Sequence, residues 1–268
     1  MPPMSKQNNI DERFAGIARL YGEDAWQHIK TMHVCVIGLG GVGSWAVEAL
    51  ARSGVGELTL IDYDTIAKSN INRQLPAMDS TLEQKKHAVL AERVKDINPA
   101  CKVNIIDDFL NMDNLRDYLD PKRNYSYVID AIDSIQFKAA IIYSCKRSKI
   151  PVITTGGAGG LTDPTKIAIR DLNKTEYDAL AAKVRSKLRS EYNWTSNQKR
   201  YFGIECIYSK EKQRYPNEDG SVDFEKPGIH GVHLDCSMGY GAATHVTATF
   251  GFIAAGRVID KHLKKVMQ

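Results

Sequence analysis

The sequence predicts an α/β fold: a doubly wound, mostly parallel sheet followed by a C-terminal extension and a long terminal helix. Three observations predict it. Short apolar strands alternate with helical segments through the first half of the chain, a glycine-rich turn joins the first strand to the next helix, and an aspartate closes the second strand. Repeated alternation of this kind places crossover helices on both faces of a parallel sheet.

Residues 33–38 (HVCVIG) form a Val- and Ile-rich run ending at glycine, as a buried parallel strand does. Residues 42–53 carry a helical pattern that stops at Gly54, and 58–62 (LTLID) form the second strand. A long amphipathic helix over 82–97 closes at Asn98-Pro99. Strands follow at 102–106 and 126–133 with a helix between them, then a helix over 135–148 and a strand over 151–155 that runs into glycines. Beyond Gly160 the rhythm changes. Residues 175–192 read as a basic helix, 200–209 as strand-like and 239–265 as a long helix. Residues 210–231, punctuated by Pro216, Gly220, Pro227 and Gly228, read as a mobile loop. Three regions result: a helical segment (1–30), a nucleotide-binding core (31–172) and a C-terminal region (173–268).

Composition narrows the class. With 43% hydrophobic and 25% charged residues, the 268-residue chain is neither disordered nor fibrous. Its 36 Lys and Arg against 32 Asp and Glu leave a net charge of +4, which permits an RNA partner without demanding one. The five cysteines contain no C-x-x-C pair, so neither a disulfide framework nor a zinc site is expected. The first 14 residues lack the apolar core of a signal peptide, which makes the cytoplasm the expected compartment. Residues 238–256 lack Asp, Glu, Lys and Arg but contain His245, three threonines and four glycines. They read as a buried helix, with membrane association as the alternative.

Gly38, Gly40 and Gly43 form G-x-G-x-x-G, with Gly41 making a fourth glycine between strand and helix. Glycines let the backbone turn sharply and approach a phosphate, while the helix N-terminus offers free N–H groups. Asp62, about twenty residues on, stands where an acid accepts from ribose hydroxyls. The arrangement is a Rossmann-like nucleotide site. Asp62, Tyr63 and Asp64 lead into Asn70-Ile71-Asn72-Arg73-Gln74, Lys86 follows, and Asp130-Ala131-Ile132-Asp133-Ser134 ends the fourth strand. Cations placed there suit a triphosphate whose α-phosphorus is attacked.

In this set of motifs the chain resembles the ubiquitin-activating-enzyme-like adenylyltransferase superfamily. The resemblance implies ATP and Mg2+ as cofactors. It gives phosphate contacts to Gly41 and its neighbours, ribose contact to Asp62, triphosphate contacts to Asn70, Arg73 and Lys86, and the metal to Asp133. Asp64 joins the nucleotide-binding set. Asp130 reads as structural. Where the superfamily carries Arg-x-x-Arg, this chain has Arg13-Phe14-Ala15-Gly16, leaving Arg13 or Arg19 as the arginine lent to a partner subunit. The paired zinc cysteines of carrier-protein activators are missing.

Arg13, Arg19-Leu20-Tyr21-Gly22, the stretches 127–133 and 154–160, Asp163-Pro164-Thr165 and the stretch 243–252 occur in order. They resemble the tRNA threonylcarbamoyladenosine dehydratase branch. That resemblance implies ATP-dependent cyclisation of N6-threonylcarbamoyladenosine beside the anticodon, through adenylation of the threonyl carboxylate. It also implies a tRNA substrate, a homodimer, and a monovalent cation (Na+ or K+) near Gly156–Gly160. The region 173–268 then serves tRNA contact and dimerisation. Lys183, Arg185, Lys187 and Arg189, with Lys210, Lys212 and Arg214, are the candidate RNA contacts. Cys206 and Cys236 are candidate acceptors in a cysteine-desulfurase or sulfur-relay system. Activation of a ubiquitin-like carrier or sulfur-relay protein, and a non-catalytic nucleotide-binding scaffold, are the alternatives.

Overall fold

The computed structural model describes residues 11–217, 219–225 and 241–268. Two short helices, α1 (Ala15–Tyr21) and α2 (Glu23–Lys30), precede β1 (His33–Ile37). Then come α3 (Gly43–Arg52), β2 (Glu57–Ile61), α4 (Lys86–Ile97), β3 (Lys102–Ile106) and the single-turn α5 (Leu115–Tyr118). Next are β4 (Tyr127–Asp130), α6 (Ile135–Arg147), β5 (Val152–Thr155), β6 (Ile167–Asp171) and α7 (Ala179–Tyr192). The chain ends with β7 (Glu205–Ser209), the small hairpin β8 (Tyr215–Pro216) and β9 (Val222–Asp223), and α8 (Thr244–Val266).

The seven-stranded sheet has the order β3-β2-β1-β4-β5-β7-β6, parallel throughout except where β6 runs antiparallel to β7. The reversal of strand order between β1 and β4 opens the crevice where doubly wound sheets bind ligands. β1, β4 and β5 are nearly continuous buried apolar runs because helices cover both of their faces. Two cores result. One lies between the sheet and α2, α3, α4 and α8, the other between the sheet and α6 and α7.

Several elements differ from expectation. The 82–97 helix begins only at Lys86 and the 175–192 helix at Ala179, because irregular loops occupy the preceding turns. Asp178 caps the latter, accepting from Ala181 N at 2.8 Å. The strand-like segment 200–209 is a strand only over β7, and β6 was not foreseen. β7 lies inside the sheet although it comes from the C-terminal region. Most of the expected 210–231 loop is described, and part of it forms the β8–β9 hairpin. The described part of the terminal helix starts at Thr244. Among the described residues no helix is long and apolar enough to cross a membrane.

α8 crosses α3 at very close range. A Cβ on Gly251 would lie 2.5 Å from Val42 O and 2.8 Å from Ala46 N, so only glycine permits this approach. The crossing carries the N-terminal end of α8 to the glycine turn.

Candidate active site

The turn 38–43 is set by contacts that a side chain would prevent. Gly38 has φ +84°, and a Cβ on Gly43 would fall 1.8 Å from Gly38 O. Asp62 then fixes the turn from the end of β2. Its two carboxylate oxygens accept from Leu39 N at 2.6 Å and Asp64 N at 2.8 Å. Each oxygen keeps a further lone pair, so the same carboxylate can accept from a ribose hydroxyl.

Lys86 opens α4 with its backbone N–H bonded to Asp64 O, and its side chain is buried. Its Nζ donates to Asp64 Oδ2 at 2.7 Å, where the carboxylate is half exposed. A buried ammonium is thus held at the carboxyl end of β2 by a partner that water can also reach. Lys85 is engaged elsewhere, donating to Tyr63 O and Asp107.

Arg73 lies over the glycine turn. Its Cγ and Cδ sit 3.3 and 3.5 Å from where a Gly41 Cβ would be, and its NH1 donates to Ser69 O and Asn72 Oδ1. Asn70 shapes the same turn, its Oδ1 accepting from Ala67 N and its carbonyl from Arg73 N and Gln74 N. Sequence reasoning missed what anchors this segment. Trp45 Nε1 donates to Arg73 O at 3.1 Å, Thr247 Oγ1 donates to the same oxygen at 3.4 Å, and Asn72 Nδ2 donates to Ala242 O. α8 therefore helps to build the site, through contacts about 170 residues apart in sequence that no local pattern announces.

Asp133 is exposed in the loop between β4 and α6, where Ser134 rather than Asp133 occupies the N-cap. Below that loop, the buried Asp130 carboxylate meets Lys138 Nζ at 3.0 Å and accepts from Thr154 Oγ1 at 2.7 Å. Burial pushes the Asp130 carboxyl up, against the pull of Lys138 and Thr154. Lys138 also donates to Asp130 O, which ties α6 to the strand end that presents Asp133. Tyr63 senses the whole acidic group: desolvation first, then Asp64, Asp62 and Asp133, raise its phenol pKa. Asp62, Asp64 and Asp133 thus all lie within electrostatic reach of the Tyr63 hydroxyl. Among the described residues no three His, Cys, Asp or Glu side chains form a metal cage. A single carboxylate beside a triphosphate matches the way Mg2+ is usually held.

The glycine loop 156–160 is bolted to α7. Asp178 Oδ2 accepts from Gly157 N at 3.0 Å, and a Cβ on Gly156 would collide with that oxygen. Burial pushes the Asp178 carboxyl up despite its two backbone donors. Gly159 O accepts from Gln213 Nε2, and Gly160 O from Arg214 N.

The four basic residues of α7 do not share one exposed face. Lys183 is exposed, and Lys187 pairs with Glu191 at 2.5 Å. Arg185 turns inward to Thr175 and Leu172 O, and burial lowers its pKa. Arg189 donates to Asn173 Oδ1 at 2.6 Å and lies over the Phe202 ring. Lys210, Lys212 and Arg214 are exposed, with Arg214 over Phe224. Cys206 is fully buried in β7, and burial pushes its thiol well up, so a partner cannot deliver sulfur to it without opening the sheet. Cys236 lies outside the described residues. Arg13 pairs with Asp11. The neighbouring Phe14 stacks on Trp26 against Gly54, just past the C-terminal end of α3, so Arg13 lies at the end away from its own glycine turn. Arg19 is exposed on α1.

A glycine turn at a sheet switch point, an acid on the second strand, and Arg73 and Lys86 at its mouth define a nucleotide-binding enzyme of the adenylyltransferase type. The ThiF family model matches residues 13–265. The tRNA threonylcarbamoyladenosine dehydratase of Haemophilus influenzae is 55% identical over 98% of this chain and 97% of its own length. Two crystal structures of E. coli tRNA N6-threonylcarbamoyladenosine dehydratase are also similar. The complex with AMP has a TM-score of 0.84 at 46% identity, covering 96% of both chains. The complex with ATP has a TM-score of 0.83 at 47% identity, covering 95% of both. The chain belongs to the ThiF family, and within it to the tRNA threonylcarbamoyladenosine dehydratases.

Proposed function

We propose that the protein uses ATP to dehydrate N6-threonylcarbamoyladenosine in tRNA to its cyclic form. The observation that carries this reading is the delivery of Arg73 and Lys86 to a nucleotide turn, and whole-length kinship to the dehydratases supports it. A threonyl carboxylate oxygen attacks the α-phosphorus of ATP and pyrophosphate leaves. A nucleophile within the modified nucleoside then attacks the activated acyl carbon. AMP departs with the former carboxylate oxygen, so one water is lost overall. Arg73 and Lys86 meet the charge that develops at the α-phosphate. Asp62 orients the ribose, and the 38–43 amides and Asn70 position the phosphates.

Asp133 would hold Mg2+ with the triphosphate oxygens, and the ion would neutralise phosphate charge. A monovalent cation at the 156–160 loop would use the second lone pairs of the Gly159 and Gly160 carbonyls. The active form is a cytoplasmic homodimer of about 60 kDa, twice the 29.9 kDa chain. Light scattering showing only monomer at micromolar concentration contradicts that. Within a dimer, Arg13 serves the partner's site rather than its own, because α3 separates it from its own turn by roughly 15 Å. A sulfur-relay partner is the least supported element, given the burial of Cys206.

The test is mass spectrometry of nucleosides from threonylcarbamoyladenosine-bearing tRNA incubated with protein and ATP. A cyclised nucleoside lighter by one water is expected. Only the uncyclised nucleoside, with folded protein and ATP present, rejects the function.

A further inference from the structure

Far from the nucleotide turn, at the amino edge of the sheet, two adjoining hollows share Lys146. One, of about 240 Å³, is lined by Tyr143, Lys146, Arg147, Trp194, Tyr201 and Phe202. The other, of about 220 Å³, includes Lys149 and Gly203. Aromatic rings floor the first. Phe202 is buried and meets Trp194 edge-on at 4.7 Å, while Tyr201 stands 73% exposed with Lys174 Nζ 5.0 Å from its centroid. Around them Lys146, Arg147, Lys149, Lys199 and Arg200 are all exposed, and none forms an ion pair among the described residues. Glu176 and Glu191, acids on neighbouring segments, are already paired with Arg170 and Lys187.

Rigid ring faces beneath unpaired cations match single-stranded nucleic acid: bases stack on the rings while the cations neutralise phosphates. An acidic peptide would satisfy the cations and leave the exposed Tyr201 face without a flat partner. Distance also bears on the occupant. α6 begins just after Asp133 and ends at the cleft, and its 13 residues span about 20 Å. A molecule that engages both places must be a polymer, not a mononucleotide. We infer that this aromatic–basic cleft binds an unpaired segment of the tRNA, stacking a base on Tyr201 and Trp194. The inference rests on the tRNA substrate proposed above. It moves the main RNA contact from α7, where Arg185 and Arg189 are used internally, to the end of α6 and the segment that follows α7.

The test measures tRNA binding by fluorescence anisotropy for wild type, Tyr201→Ala, Tyr201→Phe and the Lys146→Gln/Arg147→Gln pair. Polyglutamate serves as an acidic competitor. Tyr201→Ala should weaken tRNA binding about tenfold, and Tyr201→Phe should restore it, since stacking needs the ring and not the hydroxyl. The paired Gln variant should flatten the salt dependence by about 0.7 per lost phosphate contact. ATP affinity should stay unchanged in every variant, and the exposure of Tyr201, Lys146 and Arg147 leaves the fold unaffected. Unaltered tRNA affinity in Tyr201→Ala with an unaltered salt slope in the pair overturns the inference. So does polyglutamate displacing tRNA with a dependence on Tyr201, which would mark an acidic-peptide surface. A wild-type protein that binds no tRNA removes this inference together with the tRNA reading, whereas binding that ignores the variants removes it alone.

Discussion

Lys86 and Asp64 form a 2.7 Å ion pair that is lopsided in burial: the lysine side chain is 7% exposed and the carboxylate 45%. The two partners therefore fail differently when removed. Lys86→Met leaves a carboxylate that water can solvate, so stability should hold within about 1 kcal/mol. Turnover should nevertheless fall ~100- to 1,000-fold, as expected for loss of one electrostatic donor in the transition state. Asp64→Ala strands a buried ammonium and should cost of order 2 kcal/mol in denaturant unfolding. Equal stability losses in the two variants would show that the pair is not lopsided in solution.

Arg73→Ala tests the second cation. Its aliphatic stem covers Gly41 but, among the described residues, its guanidinium donates to the local acceptors Ser69 O and Asn72 Oδ1, so the fold should persist while turnover drops on a similar scale. Wild-type turnover in both Arg73→Ala and Lys86→Met would dismiss the site assignment.

Asp133 is exposed, and its replacement by Asn should leave the melting temperature close to wild type. Steady-state rates across a Mg2+ titration should show a higher half-saturating concentration. An unmoved titration curve would assign the metal elsewhere.

Gly251→Ala places a methyl against the backbone of α3, at Val42 O and Ala46 N. Overpacking of this kind should cost about 1–3 kcal/mol. Because Thr247 and Asn72 link the same helix end to the Arg73 turn, the variant should also raise the KM for ATP. A stability loss with an unchanged KM would separate α8 from the site.

Glu205 anchors α8 to β7 through Arg257, at 2.9 and 2.6 Å, and Lys261 at 3.0 Å. Hydrogen bonding from Arg257, opposed by burial, lowers its pKa below the usual carboxylate value of 4.5. A depressed carboxylate stabilises the fold above its unfolded pKa and loses that contribution as pH falls through the folded one. Glu205→Gln should therefore cost about 2 kcal/mol near neutrality, and the difference should begin to shrink as pH falls towards 4.5 and vanish once pH is below the depressed folded-state value. A gap that persists at lower pH would mean packing, not charge, is at work.

The parts of this protein legible in its sequence are local ones. Gly38, Gly43 and Asp62 sit on consecutive strand–turn–helix units, so their spacing alone fixes their meeting. Thr247 and Ala242 join the site through the α3–α8 crossing, which depends on the absence of a side chain at Gly251, and Trp45 joins it because the segment around Arg73 folds back over α3. β6 escaped notice because its burial is only partial and its pairing with β7 is non-local and antiparallel. The basic run of α7 does not make one face, because residues four apart share a face while residues two apart do not. Lys183 and Lys187 point one way, and Arg185 and Arg189 turn inward.

The central claim is that the threonyl carboxylate is adenylated in this site, and the oxygen it loses reports that directly. With heavy oxygen in the threonyl carboxylate of the tRNA substrate, each ring closed should release one AMP carrying one heavy oxygen on its phosphate. Unlabelled AMP, or ADP and inorganic phosphate in place of AMP and pyrophosphate, would contradict it.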